Sequence, residues 1–329
     1  MVDALKKKER YSRQSILPQI GARGQQKIEH AKVAIVGVGA LGTVAAELLT
    51  RAGIGELLLI DRDIVELSNL QRQSLYTQQD IGKSKASTAK ERLQLINSQV
   101  LIQVEAVQLD YKNVDLLKNC NIVLDCTDNL NTRFLINDYC KKNNIFWIYT
   151  AAIQTSGYVM SIVPTGPCLQ CFLKEASLET CETVGVLNAL TYSIAALQVT
   201  EALKLIVDGK IESKIELKLY YYNIWRPSLQ TIAVKRNPNC LTCKGEYGYL
   251  KGEKHEPILK FCSTGRYQIQ GTKKDLQKMK QTWEKIGNVV DEKEALHFKN
   301  ITLFKDGRVL IKAKTEGEAR AAYSKWVGN

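Results

Sequence analysis

The sequence feature that most constrains the fold is the segment at residues 32–73, in which two apolar runs flank a glycine-rich turn. The first run covers residues 33–36 and leads into the hexapeptide GVGALG at residues 37–42. A helical pattern follows, and the second run, residues 57–60, ends at Asp61. This order predicts a strand, a tight turn, a helix and a second strand, which is the unit that binds nucleotides in doubly wound α/β folds.

Each glycine of the turn has a physical role in this prediction. Gly37 makes the tight turn, Gly39 lets the backbone approach a phosphate, and Gly42 lets the helix pack on the strand. The helix N-terminus offers free N–H groups and the positive end of its dipole to an anion. Asp61 lies 19 positions after Gly42, where a carboxylate can accept hydrogen bonds from ribose hydroxyls. The alternative is a turn that serves packing alone, but the flanking strands and the acid favour nucleotide binding.

The residues after Asp61 indicate which nucleotide chemistry the site supports. A polar loop contains Asn69, Arg72 and Gln73, which would lie beside the phosphates. A nicotinamide-dependent dehydrogenase shows the same unit up to Asp61, but it needs an apolar slot for nicotinamide and gains little from an arginine there. A nucleotidyl-transfer enzyme needs fixed cations where charge develops on phosphorus. The loop therefore favours nucleotidyl transfer.

With these motifs the sequence resembles the ThiF/MoeB/HesA family, which is related to the ubiquitin-activating enzymes. The resemblance begins at the pentapeptide RYSRQ, residues 10–14, and extends to about Cys243. It implies an α/β fold with a Rossmann-like, mostly parallel sheet, helices on both faces and zinc-clamped antiparallel strands. Ala40 stands where many members have glycine, and we expect only a minor effect because alanine should fit there.

The resemblance also implies roles for three cationic residues. Arg13 matches an arginine that reaches into the nucleotide site of the partner subunit, which implies a homodimer. Lys85 matches a lysine that contacts ATP phosphates, and Arg133 matches an arginine near the site. Without the resemblance, Arg13 would be interpreted as a solvated surface charge.

An acidic residue follows a strand predicted at residues 122–124. Ligands of open α/β sheets bind at the carboxyl ends of the strands, so Asp128 is placed to hold Mg²⁺, a cation that prefers carboxylate oxygens. The alternative is that Asp128 or Asn129 caps the helix that follows. The family resemblance favours the magnesium site.

Two CxxC pairs predict a metal centre. Cys168 and Cys171 form the first pair, and Cys240 and Cys243 form the second. Four thiolates suit tetrahedral zinc and leave no open coordination position, so we expect a structural site. The 69 positions between Cys171 and Cys240 imply a clamp between distant segments of one domain, with unmetallated core cysteines as the alternative.

Cys181 is a candidate nucleophile. It lies in a polar segment, where a thiol should be accessible and could act as a thiolate. Its position matches a loop cysteine of ThiF-like proteins that forms a link to the activated carrier. Glu179 and Glu182 would raise its pKa, so activation would have to come from elsewhere, and an exposed cysteine without a covalent role is the alternative.

The length of 329 residues and the composition shift near the end of the zinc motif predict two domains. We expect an ATP-binding adenylation domain with the zinc site at residues 1–244, a linker at 245–257 and a small βαββα domain at 258–329. The hairpin of the small domain carries an Asp-Gly turn signal at Asp306 and Gly307.

Composition and charge constrain the location and partners of the chain. The apolar helix predicted at residues 186–207 contains several polar residues, so we expect a buried or interface helix and no membrane partner. The N-terminus shows lysines without an apolar segment behind them, which predicts no secretory signal and a cytoplasmic location. The net charge of +12 allows nucleic acid or an acidic protein partner, but a solvated lysine-rich surface is favoured.

The resulting prediction is an ATP-dependent adenylyltransferase. The resemblance implies that its substrate is the C-terminal glycine carboxylate of a small ubiquitin-like or sulfur-carrier protein that ends in Gly-Gly. A separate sulfur donor or conjugating enzyme would act next. The predicted ATP-binding residues are Gly37, Gly39, Ala40, Gly42, Asp61, Asn69, Arg72, Gln73, Lys85, Asp128 and Arg133. The predicted catalytic residues are Arg13, Arg72, Lys85, Asp128 and Cys181.

Three alternatives remain. A family branch that dehydrates a modified tRNA base after ATP activation would suit the net charge of +12, but the zinc cysteines and residues 10–14 favour the carrier-protein branch. A non-catalytic half of a heterodimer is disfavoured because every predicted ATP residue is on this one chain. A dehydrogenase explains neither Arg72 nor the cysteine pairs.

Overall fold

The computed structural model describes residues 9–174, 184–209, 217–253, 258–261, 266–292 and 295–328. The chain divides into two compact units, Met1–Lys254 and His255–Asn329.

One sheet of eight strands organises the first unit. Its strands are β1 (Lys32–Val36), β2 (Glu56–Ile60), β3 (Leu101–Glu105), β4 (Ile122–Asp125), β5 (Phe146–Ile153), β6 (Ser156–Ile162), β7 (Lys218–Asn223) and β8 (Ser228–Ala233). The order is β3-β2-β1-β4-β5-β6-β7-β8, so β8 is an edge strand. Strands β1 to β5 are parallel, and β6, β7 and β8 add to them antiparallel. This is the mostly parallel sheet with antiparallel strands that the sequence predicted.

The strand register brings the predicted nucleotide residues to one edge. Val36 at the end of β1 pairs with Ile60 at the end of β2 and with Asp125 at the end of β4. The three segments that follow these strands therefore begin side by side. They carry the glycine turn, Asp61 and the loop with Asp128.

Helices cover both faces of the sheet. The first unit contains α1 (Ser12–Ser15), α2 (Gly21–His30), α3 (Ala40–Ala52), α4 (Lys85–Ile96), α5 (Leu130–Asn143) and α6 (Asn188–Asp208). One buried cluster joins Ile35 of β1 to Leu49 of α3 and Ile194 of α6. A second cluster joins Val123 of β4 to Phe134 of α5. Because successive strand residues point to opposite faces, the fully apolar runs of the central strands supply both clusters.

Helix α6 is long and apolar enough to cross a membrane by length and composition, with a mean hydropathy of 1.3 in its 18-residue window. In the structure α6 packs against α2, α3, β5 and β6. Core helices of globular proteins pass the same test, so the finding is weak evidence for a membrane span.

The second unit is an antiparallel sheet with two helices. Its elements are β9 (Ile258–Phe261), β10 (Arg266–Gln270), α7 (Leu276–Glu284), β11 (Val289–Glu292), β12 (Ala295–Phe298), β13 (Ile301–Phe304), β14 (Arg308–Lys312) and α8 (Glu316–Trp326). The sheet order is β11-β12-β13-β14-β10-β9. The structure adds β9, β11 and β12 to the predicted βαββα pattern. Trp283 of α7 is 1% exposed and stacks on Phe298 of β12 with ring centroids 5.0 Å apart, so this unit has a core of its own.

Much of the segment predicted as a linker, residues 245–257, packs on the first unit. Tyr249 is buried, and its ring centroid lies 5.2 Å from that of Phe134 on α5. Gly252 lies against the ring of Tyr111, where a Cβ would come within 2.9 Å. A single buried aromatic side chain thus anchors a segment whose composition is otherwise polar.

Candidate nucleotide site and metal centre

In the glycine turn between β1 and α3, two of the three glycines are required by packing and the third leaves space for a ligand. Gly37 has φ +89°, and a Cβ there would lie 2.6 Å from the carbonyl oxygen of Cys126. A Cβ on Gly42 would lie 1.9 Å from the carbonyl oxygen of Gly37. A Cβ on Gly39 would meet nothing closer than Nε2 of Gln73 at 3.7 Å. Packing therefore requires glycine at positions 37 and 42, whereas Gly39 leaves open space beside the turn.

The N-terminus of α3 is free to bind an anion. The helix begins at Ala40, and its N-cap residue is Gly39. Within the described part of the chain no side chain caps this end, and the first turn contains no acidic residue. Unpaired N–H groups and the positive end of the helix dipole thus remain available at the turn.

Two amide side chains of the loop after β2, those of Asn69 and Gln73, are buried, and Gln73 lies beside Gly39. Gln73 is 4% exposed, and its Oε1 has no hydrogen-bond partner among the described residues. A buried amide oxygen without a partner is costly. A hydrogen-bond donor of a polar ligand beside Gly39 would remove that cost. Oδ1 of Asn69 accepts a hydrogen bond from the Glu66 N–H at 3.0 Å, which leaves the Asn69 amino group as its remaining donor.

Asp61 joins the end of β2 to the glycine turn. Its Oδ2 accepts a hydrogen bond from the Val38 N–H at 2.6 Å, and its Oδ1 accepts one from the Asp63 N–H at 2.7 Å. Burial raises the pKa of this carboxyl, while the Lys85 ammonium opposes that change. Each carboxylate oxygen keeps a lone pair that could accept a ribose hydroxyl.

Lys85 is a buried cation that lies close to Asp61 and Asp63. Lys85 begins α4 and is 7% exposed, and its Nζ lies 3.2 Å from Oδ2 of Asp63. Burial lowers the pKa of Lys85, but the carboxylates of Asp63 and Asp61 outweigh burial and raise it above its ordinary value. Lys85 is therefore held protonated at the glycine turn, next to where phosphates would lie.

Sequence reasoning missed Asp63 and Tyr76 in this arrangement. The Tyr76 hydroxyl contacts two carbonyl oxygens, that of Val38 at 2.7 Å and that of Lys85 at 3.1 Å. It thereby links the glycine turn to the start of α4. The spacing of Asp61 and Asp63 was the available signal for Asp63, whereas nothing local to the sequence singles out Tyr76.

Asp128 is left exposed by the residues around it. Oδ1 of Asn129 accepts a hydrogen bond from the Thr132 N–H at 2.9 Å, so Asn129 is the helix cap and Asp128 is not. The Asp128 carboxylate is exposed and adds to the charges that raise the pKa of Lys85 and Asp125. The Asp128 carboxylate therefore lies at the carboxyl end of β4 without a hydrogen bond or ion pair to another described residue, and its charge acts on Lys85.

Arg133 contacts the loop that carries Asp128. Its Nε lies 3.2 Å from Oδ2 of Asp125, and it donates a hydrogen bond to the carbonyl oxygen of Thr127 at 2.5 Å. The guanidinium also lies 5.3 Å from the ring centroid of Tyr149. These contacts give Arg133 a role in holding the loop, and its predicted contact with ATP stays a prediction.

The other two arginines lie in different settings. Arg72 is partly buried and donates a hydrogen bond to the carbonyl oxygen of Ser68 at 3.0 Å. Arg13 is exposed in α1, and no hydrogen bond or ion pair joins it to another described residue. Tyr11 anchors this arm, because its buried ring packs on Gly53 and its hydroxyl accepts a hydrogen bond from Asn97 at 2.8 Å.

The four predicted metal cysteines converge. Their sulfur atoms all lie within 4.8 Å of one another, and the Cys168–Cys240 and Cys171–Cys243 separations are 3.4 and 3.6 Å. None of the four is in a disulfide. Zinc–sulfur bonds of about 2.3 Å in a tetrahedron would place the sulfurs about 3.8 Å apart. Burial raises the pKa of the Cys168 thiol, whereas a bound cation would oppose this effect and favour the thiolate. The donor set and spacing fit zinc.

Cys181, the candidate nucleophile, lies with Glu179 and Glu182 in residues 175–183, outside the described residues.

Comparisons with known proteins identify relatives of this chain. The model of the ThiF family matches residues 11–242. The sulfur carrier protein ThiS adenylyltransferase of Bacillus subtilis is 33% identical over 97% of this chain and 99% of the relative. The SAMP-activating enzyme E1 of Haloferax volcanii is 34% identical over 73% of this chain and 90% of the relative. Among solved structures, E. coli MccB with ATP has a TM-score of 0.63 and 25% identity, covering 71% of this chain and 74% of that chain.

Proposed function

The chain belongs to the ThiF family, and on that premise we propose that it transfers the adenylyl group of ATP to the C-terminal glycine carboxylate of a small ubiquitin-like sulfur-carrier protein. The names of the relatives support this substrate class, since they are adenylyltransferases and activating enzymes for such carriers. The observation that carries the proposal is the buried, protonated Lys85 beside an open helix N-terminus.

The residues suit a reaction that needs no general base. A C-terminal carboxylate has a pKa of about 3.3–3.7 and is ionised at neutral pH, so it can attack the α-phosphorus directly. A bond forms between the carboxylate oxygen and the α-phosphorus, the α–β bridging bond breaks, and pyrophosphate leaves with the electron pair. Catalysis then consists of positioning and charge stabilisation.

Each residue has a stated role in this proposal. Asp61 accepts the ribose hydroxyls, Gly39 and the N-terminus of α3 bind phosphate through backbone N–H groups, and Lys85 neutralises phosphate charge. Arg72 and Asn69 add donors from the loop after β2. Arg13 would come from the other subunit of a homodimer. Asp128 would hold Mg²⁺, which would supply positive charge to offset the charge of the phosphates.

The test is ATP–pyrophosphate exchange with the purified protein and each candidate carrier that ends in Gly-Gly. We expect exchange that depends on one carrier and is lost in Asp128→Ala. Cys181→Ala should still exchange but fail in later transfer if Cys181 attacks the acyl-adenylate. A protein that binds ATP yet exchanges with no carrier contradicts the proposal, and exchange stimulated by tRNA would favour the tRNA-modifying branch.

A further inference from the structure

Helix α5 carries a stripe of buried and half-buried polar side chains, and the proposed reaction assigns a role only to Arg133 at its start. Arg133, Asn137 and Lys141 are spaced four residues apart, so they lie along one face of the helix, and Asp138 lies beside them. Asn137 and Asp138 are both 0% exposed. Buried polar groups in helices need partners, so the contacts of this stripe indicate what α5 holds in place.

The N-terminal end of the stripe reaches the nucleotide site. Arg133 contacts Asp125 and the carbonyl oxygen of Thr127, as described above. Asn129 caps the helix immediately after Asp128. The loop that carries the proposed magnesium ligand is thus fixed to the first turns of α5.

The C-terminal half of the stripe reaches the first cysteine pair. Oδ1 of Asn137 accepts a hydrogen bond from the Leu169 N–H at 2.8 Å, inside the Cys168–Cys171 turn. Lys141 donates to the carbonyl oxygens of Gly166 and Pro164, just before Cys168. An apolar residue could not accept the Leu169 N–H, so packing alone does not account for asparagine here.

Asp138 reaches the second cysteine pair from the same helix. Its Oδ1 accepts a hydrogen bond from the Thr242 hydroxyl at 2.7 Å, between Cys240 and Cys243. Its Oδ2 accepts one from the Tyr249 N–H at 3.1 Å. Both halves of the cysteine cluster therefore bind to adjacent residues of α5.

We propose that Asn137 and Asp138 are positioning residues that tie both cysteine pairs to α5, so that zinc binding at the cluster and nucleotide binding at the other end of α5 strengthen each other. A helix of 14 residues is about 20 Å long and transmits a displacement of its C-terminal half to its first turns. The inference rests on the proposed function to the extent that a nucleotide must bind near Asp128.

Coupling between two binding sites is reciprocal, and this sets the experiment. The dissociation constant of the analogue AMPCPP is measured by calorimetry in zinc-loaded protein and in zinc-stripped protein, at a temperature at which circular dichroism shows both to be folded. The affinity for Zn²⁺ is measured by competition with a chromogenic chelator, with and without saturating AMPCPP. We expect zinc to tighten AMPCPP binding at least about fivefold and AMPCPP to tighten zinc binding by the same factor.

A matched pair of variants tests the route. Thr242→Val removes the hydroxyl that donates a hydrogen bond to Asp138 and keeps the side-chain shape, whereas Thr242→Ser keeps the hydroxyl. We expect the valine variant to lose most of the coupling factor and the serine variant to retain it. A merely structural effect would weaken zinc binding equally with and without AMPCPP and leave the factor unchanged.

The outcomes separate this inference from the proposed function. Equal zinc affinity with and without AMPCPP in the wild-type protein overturns the inference alone, as does a coupling factor that Thr242→Val leaves intact. Zinc-loaded protein that does not bind AMPCPP overturns the proposed function and the inference together.

Discussion

At the scale of single residues, the nucleotide site is held together by contacts between groups far apart in sequence. Lys85 meets Asp63 across 22 positions, and Tyr76 meets Val38 across 38. The sequence motifs name the groups that would face ATP, such as Asp61 and Gly39. They do not name Tyr76, because its contacts depend on tertiary distances that no local pattern encodes.

Removing one hydroxyl tests the role of Tyr76. In Tyr76→Phe the buried carbonyl oxygen of Val38 loses its donor, which should cost about 1–3 kcal/mol in the free energy of unfolding. We also expect weaker ATP binding, because the glycine turn is no longer linked to Lys85. Denaturant unfolding and calorimetry measure the two effects. Tyr220→Phe is the matched control, since its hydroxyl makes no hydrogen bond to another described residue. Unchanged ATP affinity in Tyr76→Phe would contradict the assigned role.

The charge of Lys85 gives a prediction about pH. Its pKa is raised above 10.5, so its interaction with Asp63 and Asp61 is fully present below 10.5 and is lost only as pH rises through the higher folded value. We expect ATP affinity to stay level between pH 8 and about pH 10 as far as Lys85 is concerned. Calorimetry across this range is the measurement, with Lys85→Arg as the control that cannot deprotonate. A fall in the wild-type protein that is absent from Lys85→Arg would show that Lys85 titrates early.

At the scale of elements, the glycine turn and α3 separate packing from ligand binding. Gly42→Ala would place a Cβ 1.9 Å from a backbone oxygen, so we expect a large loss of stability. Gly39→Ala meets nothing closer than 3.7 Å, so the fold should tolerate it, while the methyl group would occupy the space beside the turn. We expect roughly a tenfold loss of ATP affinity in Gly39→Ala, equivalent to about 1.4 kcal/mol, with little change in melting temperature. Equal loss of stability in both variants would show that packing alone requires Gly39.

Elements with a local signature could be predicted, and those without one could not. The strand–turn–helix unit follows from Gly37 and Gly42, and the convergence of the four cysteines follows from the two CxxC spacings. Strands β9, β11 and β12 were missed because each is four residues long and lacks a clear alternating pattern. The role of α5 was missed for a different reason. Its polar residues resemble a solvated face until the cysteine loops are seen to pack on it.

At the scale of the whole molecule, two units with separate cores should unfold in separate transitions. Zinc can contribute on the order of 10 kcal/mol to folding, and all four cysteines lie in the first unit. We expect chelation to lower the melting temperature of the first unit and to leave that of the second unit unchanged, as measured by calorimetry. Trp283→Phe is the converse control, because Trp283 is in the core of the second unit. A single transition that moves as a whole in both experiments would contradict independent cores.

The edge strand β8 has a consequence for the behaviour of the protein in concentrated solution. It is the last strand of its sheet in the described part of the chain, so one edge of its backbone has no strand partner there. Its side chains Leu229 and Ile232 are 57% and 48% exposed. Such an edge is a template for self-association, whereas a net charge of +12 keeps molecules apart by repulsion. Salt screens that repulsion without weakening strand pairing. Colloidal stability of the purified protein should therefore fall as ionic strength rises, and the substitution Ile232→Lys should restore it.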